Sequence, residues 1–429
     1  MRSRKSLSRT LLVLGTAAGT LFATLIALNL SLGDKQLDRR IRRLYSVREK
    51  QFLRTMGVLL GPTLVEGNRV QELLNGDEIF PAMLGAIRAG QRTVTFETFI
   101  YWSGSIGKEF ADALSERARA GVSVHVLLDW VGSDRMDQAS LDEMDRAGVK
   151  IRRYNRPRWY SMGRFNNRTH RKLLVVDGRV GFTGGVGIAD PWLGNGQGPD
   201  HWRDTHFRVE GPVVAQLQAA FLDNWMQTTG EVLHGEAYFP DLKRAGPHLA
   251  QMFTSSPGGG SESMQLMYLL SITAAAESIK ISASYFVPDN VAVESFVAAL
   301  KRGVKVQIIL PGPLIDQKVV RSASRGEWGK LLAAGAEIYE YQPSMYHCKV
   351  MIVDSVWVTV GSTNFDTRSF SINDEANLSV HDPEFAQRQA SIFDEDLKCS
   401  RRITLEQWQN RPPGEKLIEH ASGLLSSQL

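Results

Sequence analysis

His170 and Lys172 stand two positions apart in HRKLLVVD, and His347 and Lys349 stand two apart in HCKVMIVD. The apolar run LLVV that follows the first pair reads as a buried strand, and on a strand residues i and i+2 face the same side. Each imidazole therefore points with its ammonium, and Cys348 points away. A single His-x-Lys at a strand start is usually incidental, whereas two copies in one chain supply two imidazoles and two ammonium groups. If the copies pack together, that set suits a phosphodiester and needs no metal. The ammoniums would neutralise charge developing on the non-bridging oxygens. The imidazoles, with ordinary pKa values near 6.5, would divide the work: one attacks phosphorus and the other protonates the leaving oxygen.

The elements that must position these residues are themselves duplicated. THRKLLVVDGRVGFTGG (Thr169–Gly185) and YHCKVMIVDSVWVTVGS (Tyr346–Ser362) share His-x-Lys-x4-Asp followed by a small-residue pair. Upstream, RTVTFETFIYW (Arg92–Trp102) corresponds to ESIKISASYFV (Glu277–Val287), AGVSVHVLLD to RGVKVQIILP, and AGVKIRRY to AGAEIYEY, in the same order. Each copy alternates strands and helices and then adds a third and a fourth strand, which predicts an α/β unit with a mixed sheet and helices on its faces. Two such sheets are expected side by side, related by a pseudo-two-fold axis. Gly230–Ser263, rich in Pro, Gly and Ser, reads as the linker between them. The first copy carries an insert before its motif, NRPRWYSMGRFNNRT (Asn155–Thr169), whose basic and aromatic residues are expected at the mouth of the site.

The duplicated HxKxxxxD motif resembles that of the phospholipase D superfamily, and the resemblance spans about Gly67 to Arg402. FETFIYW, HWRDTHFRVEGP, SYFVPDN and GSTNFDTRSF make the chain most similar to bacterial cardiolipin synthases. The resemblance implies two tandem phospholipase D-like units and a covalent phosphohistidine, with His170 as nucleophile and His347 as acid. It implies that Lys172 and Lys349 hold the phosphoryl oxygens, that Asn364 adds a side-chain donor, and that Asp204 and Glu375 orient the imidazoles. Asp177 and Asp354 belong to the motif but sit at strand ends, where a structural role in fixing the following turn is expected. One departure stands out: the second copy has Gly361-Ser362-Thr363-Asn364, while the first has Gly184-Gly185-Val186-Gly187 and lacks the asparagine. The implied reaction joins two phosphatidylglycerol molecules into cardiolipin and releases glycerol, without cofactor or metal. The alternative is hydrolysis of phospholipids to phosphatidic acid.

With 429 residues, 43% hydrophobic and 22% charged, the chain has the composition of a globular protein. A net charge of +4, from 50 basic and 46 acidic residues, argues against a nucleic-acid-coating protein and hence against a nuclease. Two cysteines exclude a disulfide framework. Asn167-Arg-Thr169 and Asn377-Leu-Ser379 are formal glycosylation sequons, yet both fall close to the proposed site. Leu11–Leu32 carries no charge and is long enough to span a bilayer as one transmembrane helix. The basic residues from Lys35 to Lys50 outnumber those before the span and favour a cytoplasmic body at a bacterial inner membrane. Ile41, Leu44, Tyr45 and Val47 among them suggest an interfacial helix on anionic headgroups. The organisation is then 1–33 basic tail and anchor, 34–65 juxtamembrane segment, 66–229 first unit, 230–263 linker, 264–403 second unit, and 404–429 C-terminal tail.

Overall fold

The computed structural model describes residues 11–24, 39–156, 166–257 and 261–423. In the first half β1 (Val65–Leu74) precedes β2 (Thr93–Thr98), β3 (Ser123–Asp129) and β4 (Lys150–Tyr154), then β5 (Leu173–Val176), β6 (Val180–Gly184) and β7 (Thr205–Glu210). The second half repeats the order with β8 (His248–Ser255), β9 (Ser278–Ala283), β10 (Phe286–Val287), β11 (Lys305–Pro311), β12 (Glu337–Tyr341), β13 (Lys349–Val353), β14 (Trp357–Gly361), β15 (Phe365–Asp366), β16 (Glu375–His381) and β17 (Ser400–Ile403). In each half three strands run parallel, β2-β3-β4 and β9-β11-β12, joined by crossover helices, and the motif strand pairs antiparallel with the first of the three: β5 on β2 and β13 on β9. The motif strands are buried along their whole length, as strands covered by helices on both faces should be.

The halves do not form two sheets. β1 and β8 pair antiparallel at the centre, so that fifteen strands make one continuous sheet in the order β17-β12-β11-β9-β13-β14-β16-β8-β1-β7-β6-β5-β2-β3-β4. β8 therefore lies inside the segment expected to be linker, and its apolar residues Ala250, Met252 and Phe253 are buried. One core cluster crosses this seam: Leu173 and Val175 of the first motif strand and Val350 and Ile352 of the second belong to it, together with Phe221, Trp225, Leu378 and Phe385. The C-terminal segment is also packed, with helix Pro413–Gly423 lying on helix Lys318–Ala333 through the Arg325–Glu419 ion pair.

Residues 11–24 are helical and exposed, and among the described residues no helix is long and apolar enough to cross a membrane. Residues 25–38, which include the rest of the expected span, lie outside the described residues, as do 157–165 of the insert. Residues 40–46 form no helix. Ile41 and Tyr45 pack on the core and Val47 is buried, because the protein itself offers these side chains a dry surface. The first helix beyond them is Lys50–Leu60, whose Phe52 meets Trp357 edge to face at 5.1 Å.

Asp177 and Asp354 stand at the far ends of the motif strands, about 16 Å from the lysines at about 3.3 Å per residue. They tie down the backbone entering the first strand of each unit, not the turn that follows them. Asp177 accepts the N–H groups of Gln91, Arg92 and Thr93, and Asp354 those of Ala276, Glu277 and Ser278. Asp354 is fully buried, so Asp354→Ala strands three donors at about 1–3 kcal/mol each before relaxation. Its thermal unfolding midpoint should fall well below that of Asp177→Ala, whose donors water can reach; a melt superimposable on wild type would refute this role.

Candidate active site

Short backbone bridges between the halves build the site. The His170 N–H donates to Asp374 O at 2.8 Å and the Asp374 N–H returns to Arg168 O at 2.8 Å. On the other side the His347 N–H donates to Arg203 O at 2.7 Å and the Arg203 N–H to Met345 O at 2.9 Å. Each motif histidine is thus stitched to the residue just before the other half's carboxylate. His170 Nδ1 lies 2.9 and 3.1 Å from the two oxygens of Glu375, and His347 Nδ1 lies 2.7 Å from Asp204 Oδ2. The acids after the two motifs serve opposite imidazoles, a crossing that spacing along the chain does not disclose.

Both carboxylates are fully buried. Asp204 also accepts from Trp192 Nε1 at 2.9 Å and from the Thr205 N–H at 2.8 Å, and Glu375 accepts from Ser362 Oγ at 2.5 Å. Gly185 occupies the place of Ser362 in the first copy, where a Cβ would stand 2.1 Å from Asp204 Oδ1. The glycine lets the carboxylate approach, and the Trp192 indole supplies the donor that the serine supplies in the other half. Burial opposes ionisation of each acid, but the facing histidine and the lysines outweigh it and hold both below their ordinary values. Burial pushes the imidazoles down, His170 to about 4 and His347 to about 3, with lysine charge adding to the effect. At neutral pH each carboxylate is ionised and each resting imidazole is neutral, with Nδ1–H directed at the acid and Nε2 carrying the lone pair.

The lysines are buried and act on one another and on both acids. Burial lowers Lys172 to about 7 against the pull of Glu375, and lowers Lys349 as well. Their surroundings differ. Lys349 Nζ donates to Ser284 Oγ at 2.7 Å, and Ser284 Oγ donates in turn to Asn364 Oδ1 at 2.6 Å. In the repeat alignment Phe99 takes the place of Ser284, and Gly187 that of Asn364. Lys172 Nζ accordingly bonds only the His170 carbonyl, at 2.7 Å, among the described residues, with the Phe99 ring 5.7 Å away. No asparagine fits at Gly187, because a Cβ there would lie 2.6 Å from Ile100 Cβ. The rings differ too: Phe99 meets His170 edge-on at 5.3 Å, while Trp192 and Trp202 flank His347 at 5.2 and 5.4 Å.

The site thus unites His170, Lys172, His347, Lys349, Asn364, Asp204 and Glu375 and leaves Asp177 and Asp354 outside. Residues not singled out in the sequence hold the bridges in place. Arg171 is buried and pairs with Asp374 at 3.8 Å and Asp223 at 3.1 Å. Arg203 grips Asp396 through two nitrogens at 2.9 and 3.0 Å, and Tyr346 donates to the same carboxylate at 2.9 Å. Asp374 and Arg203 were legible as the residues preceding the two acids; Ser284 could have been found by comparing the repeats position by position. Asn377 of the second sequon is fully buried and its amide donates to Tyr268 Oη at 3.1 Å, so it accepts no glycan. Among the described residues no group of His, Cys, Asp and Glu could hold a metal.

Residues 83–225 and 268–397 match the family model described as cardiolipin synthase, PLD-like domain. The chain belongs to this family. It is 35% identical to cardiolipin synthase A of Pseudomonas syringae pv. syringae over 83% of this chain and 74% of that one. It is 32% identical to cardiolipin synthase 2 of Bacillus anthracis over 92% and 77%. The crystal structure of the phosphatidylserine synthase of Haemophilus influenzae Rd KW20 superposes with a TM-score of 0.68, covering 88% of this chain and 100% of that one. At 14% identity that likeness speaks to the fold alone. The PLD-like domain makes this chain a phosphatidyltransferase of the phospholipase D superfamily. Ser284 is hydrogen-bonded to both Lys349 and Asn364, and Ser284→Ala should lower kcat roughly 10- to 100-fold, the usual cost of losing a supporting hydrogen bond. KM should change little and Ser284→Thr should recover part of the rate; a change confined to KM would contradict a positioning role.

Proposed function

We propose that this phosphatidyltransferase joins two phosphatidylglycerol molecules into cardiolipin and glycerol through a phosphohistidine on His170. The crossed pairing of two buried imidazoles with two buried carboxylates, beside two lysines, carries this reading. Nε2 of His170 attacks phosphorus and the bond to the headgroup glycerol breaks, with His347 donating a proton to the departing oxygen. The neutral His347 then takes the proton from the primary hydroxyl of a second phosphatidylglycerol. That oxygen displaces His170 from phosphorus and leaves His347 protonated for the next cycle. Lys172, Lys349 and the amide of Asn364 hold the non-bridging oxygens as charge develops.

Charge balance supports the proton inventory. With Lys172 protonated, two lysines and two carboxylates cancel, so the site without substrate favours neutral imidazoles, whereas a phosphodiester adds one negative charge. Its arrival favours one imidazolium, which supplies the acid that the resting site lacks. His170 suits the attacking role because its side chain is 12% exposed and one edge-on ring flanks it, whereas His347 is 9% exposed between two indoles. Water exclusion at a lipid-filled site would favour the alcohol over water as acceptor. The body is proposed to lie on the cytoplasmic side of a bacterial membrane behind a single N-terminal span, supported by the apolar run Leu11–Leu32 and the basic residues after it.

Mass spectrometry after incubation of the detergent-solubilised protein with phosphatidylglycerol should find cardiolipin and free glycerol, absent in His170→Ala. His347→Ala, which lacks the acid of the first step, should make no cardiolipin, and the adduct trapped by acid quench of the wild-type protein should lie on His170. Phosphatidic acid as the only product would replace transfer by hydrolysis, and an adduct on His347 would reverse the histidine roles. Lys172 loses its proton as pH rises through about 7. kcat/KM for the anionic lipid is therefore expected to fall across that range, and Lys172→Arg should move the fall upward; no alkaline decline would remove Lys172 from phosphate binding.

A further inference from the structure

Away from the active site, the segment that follows the apolar run builds a second cationic place. Arg40, Arg42 and Arg43 come together with Lys301 and Arg302, from the end of helix Asn290–Lys301, around a cavity of about 300 Å³. Ile41 packs on the core between them, so an apolar anchor holds the backbone there while the three arginine side chains stay exposed. Among the described residues no carboxylate lines this cavity, and Arg40, Arg42, Arg43 and Lys301 form no ion pair. Nearby acids are already engaged: Asp354 accepts three backbone N–H groups, and Glu277 pairs with Arg48 at 3.3 Å. Arg302 donates to the carbonyls of Thr273 and Ala275 at 3.1 Å, and the charges of Arg43 and Arg40 add to burial in lowering its pKa. Five exposed cations around a hollow that no described carboxylate lines suit an anion.

We propose that this cavity binds the phosphate of an anionic phospholipid headgroup, distinct from any lipid undergoing transfer, and docks the body on the bilayer. Two features favour a lipid over free phosphate. Arg40 lies eight residues beyond Leu32, so the cavity cannot leave the end of the apolar run by more than about 30 Å. The same part of the chain exposes Leu44 at 79%, Val58 at 81% and Leu59 at 61%, apolar groups suited to the headgroup boundary. The proposal rests on the membrane-anchored reading of the N-terminus and is independent of the histidine chemistry.

Native mass spectrometry of the full-length detergent-solubilised protein would count retained lipid, with phosphatidylserine as the probe against phosphatidylcholine. Retention of phosphatidylserine should exceed that of phosphatidylcholine and weaken roughly fivefold for each cation removed in Arg42→Gln and Lys301→Gln, neither of which touches the Arg302 carbonyl contacts. Lys172→Ala with Lys349→Ala should leave that retention in place. Loss in the active-site variant alone, or retention unchanged in the cavity variants, would overturn the proposal. So would displacement of the lipid by inorganic phosphate at equal concentration. Failure of the cardiolipin reading would appear separately, as missing product with lipid retention intact.

Discussion

A buried imidazole that gains and loses positive charge needs a carboxylate at hydrogen-bond distance, and here neither half provides one for its own histidine. Glu375 reaches across to His170 and Asp204 to His347. A separated half would bury an ionised acid without the partner that keeps it ionised, at a cost of several kcal/mol. The exchange therefore requires both units in one rigid frame. The β1–β8 seam joins the sheets, the shared core holds both motif strands, and the backbone bridges at Asp374 and Arg203 fix each histidine against the opposite acid.

The same frame explains why so many charged groups lie under the site. Arg171 and Arg203 are almost fully enclosed, which is tolerable only with dense hydrogen bonding. Each meets it with a carboxylate and carbonyl acceptors: Ala220 O for Arg171, Asp204 O for Arg203. These arginines hold the backbone bridges, and the bridges aim the imidazoles. A lost ion pair at Asp396 would thus be felt at His347 through Arg203, without direct contact with a substrate.

Much of this was legible in the chain. The repeated His-x-Lys marks the groups facing the site because a strand's two-residue period puts them on one side whatever the tertiary arrangement. The flanking α/β pattern follows from hydrophobic periodicity in the same way. The crossing of the acids was not legible, since sequence separation carries no record of which half closes on which. β8 was hidden for a different reason: the Gly- and Pro-containing stretches around it read as linker, although Ala250, Met252 and Phe253 form a buried strand. The juxtamembrane apolar residues read as an interfacial helix, yet Ile41, Tyr45 and Val47 went to the core, which their spacing among arginines did not reveal.

Duplication alone would give equal halves, and their inequality bears on the chemistry. On one side Ser284 and Asn364 hold Lys349 in a polar chain, so that ammonium and amide stand in a fixed relation. On the other, Phe99 and Gly187 leave Lys172 tied only to a backbone carbonyl among the described residues. On the proposed phosphohistidine route, a phosphorus centre that moves toward one imidazole and later away from it needs one firm set of oxygen contacts and one cation able to follow. The polar half fits the first task and the aromatic half the second. A Cβ at Gly187 would stand 2.6 Å from Ile100 Cβ and 3.2 Å from the ring of Trp192, the indole that donates to Asp204. Glycine at 187 therefore leaves room for Ile100 and for the indole that supports the acid paired with His347.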